Sequence, residues 1–157
     1  MHFTIRKNKH RAWPFTLGLF FGRKHFDKWV RFDPTCVYMF KGEDQQDINK
    51  LFGVGYFPSH HKNSARFGWR YNPAKCRIEL FAYCYRNGER VEEFLCDVRV
   101  GYYARCYLYV GEMYYFFSVI DDRTGNTIGE ASILKGHAKK WQYPLGVYFG
   151  GNRTAPH

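Results

Sequence analysis

Arginine and tyrosine recur along this chain at a spacing that places them on one side of extended strands. Ser64 to Tyr71, SARFGWRY, sets Arg66 and Arg70 against Phe67, Trp69 and Tyr71. Lys75 to Val98 reads KCRIELFAYCYRNGERVEEFLCDV; its first arm opposes Arg77, Glu79, Tyr83 and Tyr85 to Cys76, Ile78, Leu80, Ala82 and Cys84. Arg99 to Val110 opposes Arg105, Tyr107 and Tyr109 to Cys106, Leu108 and Val110. A period of two is that of a strand with two different faces. A guanidinium meets two oxygens of a carboxylate or sulfate at once, and a phenol ring offers a flat apolar plate with a hydroxyl at its edge. With the small residues inward, Arg66, Arg70, Arg77, Tyr83, Tyr85, Tyr107 and Tyr109 form a basic aromatic face suited to an acidic glycan. In the competing arrangement the tyrosines only stack across strands and the arginines pair with Glu79, Glu92 or Glu93.

His60-His61 precedes the strand of Arg66, so His61 or its neighbour can stand at the rim of that face as an acid or base near neutral pH. Idle imidazoles in a polar loop are the plainer alternative. Adjacent histidines point apart in an extended segment, and the five cysteines, at 36, 76, 84, 96 and 106, contain no CxxC pair. No metal site and no cofactor is expected. Cys76, Cys84 and Cys106 take the inward parity, as small core hydrophobes do. An odd number of free thiols favours a reducing compartment.

The elements that must position these residues are strands. Asn87-Gly88 between the two arms of Lys75–Val98 predicts a β-hairpin. Further strands are expected at Phe3–Ile5, Phe15–Phe21 (largely buried), Phe26–Phe32, Cys36–Phe40, Met113–Ile120, Thr127–Leu134 and Trp141–Phe149. GEDQQDINKLFG reads as one short helix near 44–52, acidic at its start and closed by glycine. Strands at this spacing with no βαβ rhythm predict an all-β fold: a single domain over residues 1–157, an antiparallel two-sheet sandwich of jelly-roll type. Aromatics make up 20% of the chain, which favours strands, and 157 residues suffice for a core without staples.

The final strand, Tyr143-Pro144-Leu145-Gly146-Val147-Tyr148-Phe149-Gly150, and the arginine-bearing strand at Arg66 together resemble the alginate-type polysaccharide lyases of the concanavalin-like superfamily. The resemblance covers those two segments. It implies that Arg66 and Arg70 stand for the family's carboxylate-neutralising arginines and Tyr148 for its catalytic tyrosine. Pro144 and Gly150 stand where the family has lysine and glutamine, and its Gln-x-His strand has no counterpart.

The net charge of +10 attracts polyanions. An acidic polysaccharide or oligosaccharide is the expected partner. Single-stranded nucleic acid remains an alternative because basic and aromatic residues interleave, although no RNP-like motif is visible. The function expected is carbohydrate binding, with β-elimination by a lyase or a purely structural, protein-binding sandwich as the alternatives. No nucleophile elbow, P-loop or dinucleotide fingerprint occurs, and no apolar run has the length of a signal peptide or a membrane span.

Overall fold

A computed structural model describes residues 1–15 and 17–157. In chain order the strands are β1 (Thr4–Ile5), β2 (Ala12–Trp13), β3 (Phe20–Phe21), β4 (His25–Arg31), β5 (Asn49–Tyr56), β6 (Ser64–Asn72), β7 (Arg77–Arg86), β8 (Glu89–Val98), β9 (Tyr103–Val110), β10 (Tyr114–Asp121), β11 (Thr127–Leu134) and β12 (Trp141–Leu145). Three sheets result: the ribbon β1-β2, a four-stranded sheet β11-β10-β9-β4 and a six-stranded sheet β3-β12-β5-β6-β7-β8. All pairings are antiparallel. The chain changes sheet after β3, β4, β8 and β11, so the two larger sheets are laced together repeatedly.

The expected alternation makes the core. Ala65, Phe67, Trp69 and Tyr71 of β6 and Ile78, Leu80, Ala82 and Cys84 of β7 face Cys106, Leu108, Tyr115, Phe117 and Val119 of the other sheet, all buried. Phe67 and Phe117 meet edge to face, with centroids 5.1 Å apart. Asn87 and Gly88 both take positive φ, 52° and 90°, and close the β7–β8 hairpin at the predicted dipeptide.

Four local expectations are corrected. The helix near 44–52 is a 3-10 turn over Gly42–Gln46, and from Asn49 onward the chain is strand β5. Leu51 and Phe52 sit in the core by way of a β-bulge, since Lys50 pairs with Gly68 but Gly53 with Arg66. The buried strand over Phe15–Phe21 is reduced to Phe20–Phe21; Phe15, Leu17, Leu19 and Phe21 are exposed, and Thr16 lies outside the described residues. Cys36–Phe40 is a 3-10 turn at Pro34–Cys36 followed by irregular chain. Cys76 is not inward: it occupies the β6–β7 turn at φ 50° and is exposed.

Candidate functional site

The face of the six-stranded sheet turned away from the core gathers cationic and phenolic side chains. β6 places Arg66 there, pairing it with Tyr83 of β7 on one side and Gly53 of β5 on the other. Lys50, three residues before Gly53, joins the same face because the bulge inserts one extra residue between them. Its ammonium lies 4.8 Å from the centroid of the Tyr83 ring.

Arg66 is the centre of the cluster. Only 8% exposed, it donates from Nη2 to the Gly146 carbonyl at 2.8 Å, and its Nε has no hydrogen-bond partner. Tyr83, Tyr143, Tyr148 and Tyr85 surround the guanidinium closely enough to act on its charge. Burial pushes the Arg66 guanidinium down to about 10. Among the described residues no carboxylate pairs with it. Burial, and then repulsion from Arg66, bring Lys50 down to about 8. Its Nζ donates to the Ile48 carbonyl at 2.6 Å. A buried cation without a counter-charge is costly, so a site of this kind is complementary to an anion.

Glycines let the surrounding side chains close in. A Cβ on Gly55 would stand 2.8 Å from the Tyr143 ring and 2.9 Å from Cβ of His60, closer than carbon atoms tolerate. His60 and Tyr143 are therefore drawn down onto the backbone of β5. The Tyr143 hydroxyl accepts from the His60 amide at 2.6 Å and lies 3.2 Å from His60 Nδ1. Burial, followed by repulsion from His61 and Arg66, lowers His60 to about 4, so this imidazole is neutral near pH 7. His61 continues the row, its ring 4.2 Å from that of His60 and 5.3 Å from that of Tyr85.

Tyr148 is placed by the backbone. Its amide and carbonyl exchange hydrogen bonds with Lys50, and the buried Asn49 accepts from the Gly150 amide at 2.8 Å. His10 stacks on the Tyr148 ring at 5.2 Å and 11°. Residues from the first turn, β5, β6, β7, β12 and the segment after β12 thus meet around one guanidinium.

Of the residues expected at the site, Arg66, Tyr83, Tyr85, His61 and Tyr148 are brought together. Arg70 shares the face, but its Nε donates to Glu79 at 2.6 Å and its guanidinium covers the Phe81 ring at 4.9 Å. It is the pairing with Glu79 that the competing arrangement describes. Arg77 stands six residues from Tyr83 along β7, about 20 Å at a strand's rise. Tyr107 and Tyr109 are elsewhere: β9 belongs to the four-stranded sheet, and their rings lie on its outer side with His25, on the other side of the core. Arg105 is there too, bound to Asp27. Alternation gives each strand's two faces but not the sheet it joins, so parity alone puts on one face residues that two sheets separate.

Sequence reasoning missed Lys50, His10 and Tyr143. Lys50 had a signal, because Asn49 to Tyr56 can be read as a strand once the acidic start of the segment is assigned to a short turn. His10 sits in a turn of charged residues and had none. Among the described residues no cluster of histidine, cysteine and carboxylate side chains has the makings of a metal site, and no helix is long and apolar enough to cross a membrane.

No family model and no curated protein matches the chain. Among solved structures, the crystal structure of Scytalido-glutamic peptidase with a peptide-based transition state analogue is similar to it, with a TM-score of 0.51 over 98% of this chain and 74% of that one, at 9% sequence identity. The likeness is one of fold, a β-sandwich in both.

Proposed function

We propose that the outer face of the six-stranded sheet binds an acidic glycan, with a uronate carboxylate taken up by Arg66 and Lys50 and the sugar rings set against Tyr83, Tyr85, Tyr143 and Tyr148. The observation that carries this reading is Arg66 itself: a nearly buried guanidinium whose Nε has no hydrogen-bond partner, ringed by phenols, with a second cation beside it and, among the described residues, no carboxylate partner. A ligand carboxylate would supply the missing counter-charge, and ring faces suit the C–H side of a pyranose. The test is binding of alginate, pectate and glycosaminoglycan oligosaccharides by wild type and Arg66→Met. Binding to uronates but not to neutral oligosaccharides, lost in the variant, is expected. Equal binding to neutral sugars, or full retention by Arg66→Met, would remove the reading.

Lyase action is a second reading, favoured by the neutral imidazole of His60 and the phenol of Tyr148, both close enough to Arg66 to interact with its charge. Neutralising the carboxylate acidifies the proton on the adjacent carbon. The imidazole of His60, or of His61 beside it, takes that proton, the electron pair forms the new ring double bond, and the glycosidic C–O bond breaks as its oxygen gains a proton from the Tyr148 phenol. The unsaturated product absorbs in the ultraviolet, and a flat trace on every uronate polymer would exclude this reading while leaving binding intact. The peptidase fold neighbour suggests peptide hydrolysis by analogy alone. Three glutamates of this sheet are already engaged: Glu79 is held by Arg70, Asn72 and Lys75, Glu89 lies beside Arg86 and Glu92 beside Arg90.

A further inference from the structure

The other side of β5 and β6 opens on a separate space. Between the edge strand β4 and the six-stranded sheet, beneath the first strand of the N-terminal ribbon, lies a cavity of about 710 Å³. That volume falls within the range of small-molecule sites. Its walls include Phe3, Val30, Leu51, Phe52, Trp69 and Phe149.

One residue breaks the pattern of the strand that borders it. On β4, Phe26, Lys28 and Val30 share the side turned to the core; Phe26 and Val30 pack with it, whereas Lys28 stays exposed at the edge of the sheet. Lys28 pairs across the ladder with Cys106, whose own side chain is fully buried between the sheets. The ammonium of Lys28 stands 5.3 Å from the centroid of Phe52 and 5.7 Å from that of Phe3. The cavity wall carries three further charged side chains: Arg6, Arg31 and a single carboxylate, Asp33, already engaged by the amide and hydroxyl of Thr35. Trp69, 5% exposed, adds an indole N–H with no hydrogen-bond partner.

Lys28, Arg6 and Arg31 thus face this cavity against one side-chain carboxylate that Thr35 already engages, a charge balance complementary to an added anion. We propose that this inter-sheet cavity binds an amphipathic monocarboxylate, its head at Lys28 and its hydrocarbon along the wall formed by Leu51, Phe52, Trp69 and Phe149. The site is independent of the sugar-binding reading, since Trp69 and Arg66 project from opposite faces of β6.

The probes are dodecanoate and dodecanol, which share a tail and differ in the head, each titrated by displacement of anilinonaphthalenesulfonate from the full chain. Wild type is expected to bind dodecanoate about tenfold or more tighter than dodecanol, the difference a charge-assisted hydrogen bond supplies. Lys28→Met should abolish that preference while keeping dodecanol binding, and Arg66→Met should leave both affinities unchanged. Equal affinity of wild type for the two probes, binding of neither, or a preference that persists in Lys28→Met would overturn the proposal. The wild-type comparison stands by itself should the variant fold poorly.

Discussion

Arg66 and its neighbours make separable contributions. Arg66→Met keeps the stem and removes the charge; uronate affinity should fall by about 30-fold or more, the cost of truncating one partner of a buried charge pair being about 2–5 kcal/mol. Lys50 titrates near 8 in the folded chain, so it is charged below that pH. Uronate affinity should therefore decline as pH rises through about 8, and Lys50→Met should flatten that decline in calorimetric titrations. His60 acts on stability instead. An unfolded imidazole protonates near 6.5 and the folded one near 4, so between these values the unfolded chain holds more protons. Stability should be fully present above about pH 6.5 and fall as pH is lowered toward 4, with His60→Gln reducing that slope in thermal melts.

At the level of elements, β5 is the least predictable strand and the one the site most depends on. Its bulge turns Lys50 toward Arg66 while sending both Leu51 and Phe52 inward, and its Gly55 admits Tyr143 and His60. Gly55→Ala should displace that pair at a cost of about 1–3 kcal/mol in denaturant unfolding, the usual penalty of overpacking. Strands β6, β7, β9 and β10 were legible because they alternate and are bounded by Asn-Pro, Asn-Gly and Gly-Glu turns, whereas β8, interrupted by a bulge at Leu95, was legible through its hairpin with β7. β5 was not, since a bulge interrupts the period of two and an acidic start followed by Ile48, Leu51 and Phe52 imitates a helix. Phe15 to Phe21 misled in the other direction: an apolar run signals burial only if something covers it, and here the side chains of Phe15, Leu17, Leu19 and Phe21 face outward.

For the whole molecule, a charge of +10 sets the approach of a polyanion rather than its final fit. Raising salt should weaken uronate binding in wild type, and less steeply in Arg66→Met. Because β9 lies in the other sheet, replacing Tyr107 and Tyr109 together by alanine should leave uronate affinity unchanged; a loss there would mean that the ligand reaches both sides of the sandwich. Sheet membership is a property of the whole chain and could not be read from any one strand, which is why part of the proposed face survives in three dimensions and part does not. The turn at Cys76 has a practical corollary. Cys84, Cys96 and Cys106 are sealed in the core and Cys36 is half-buried, whereas this thiol is open to solvent, at the end of β7 remote from Tyr85. A maleimide dye or a tether to a sensor chip would attach there and leave the guanidinium cluster free.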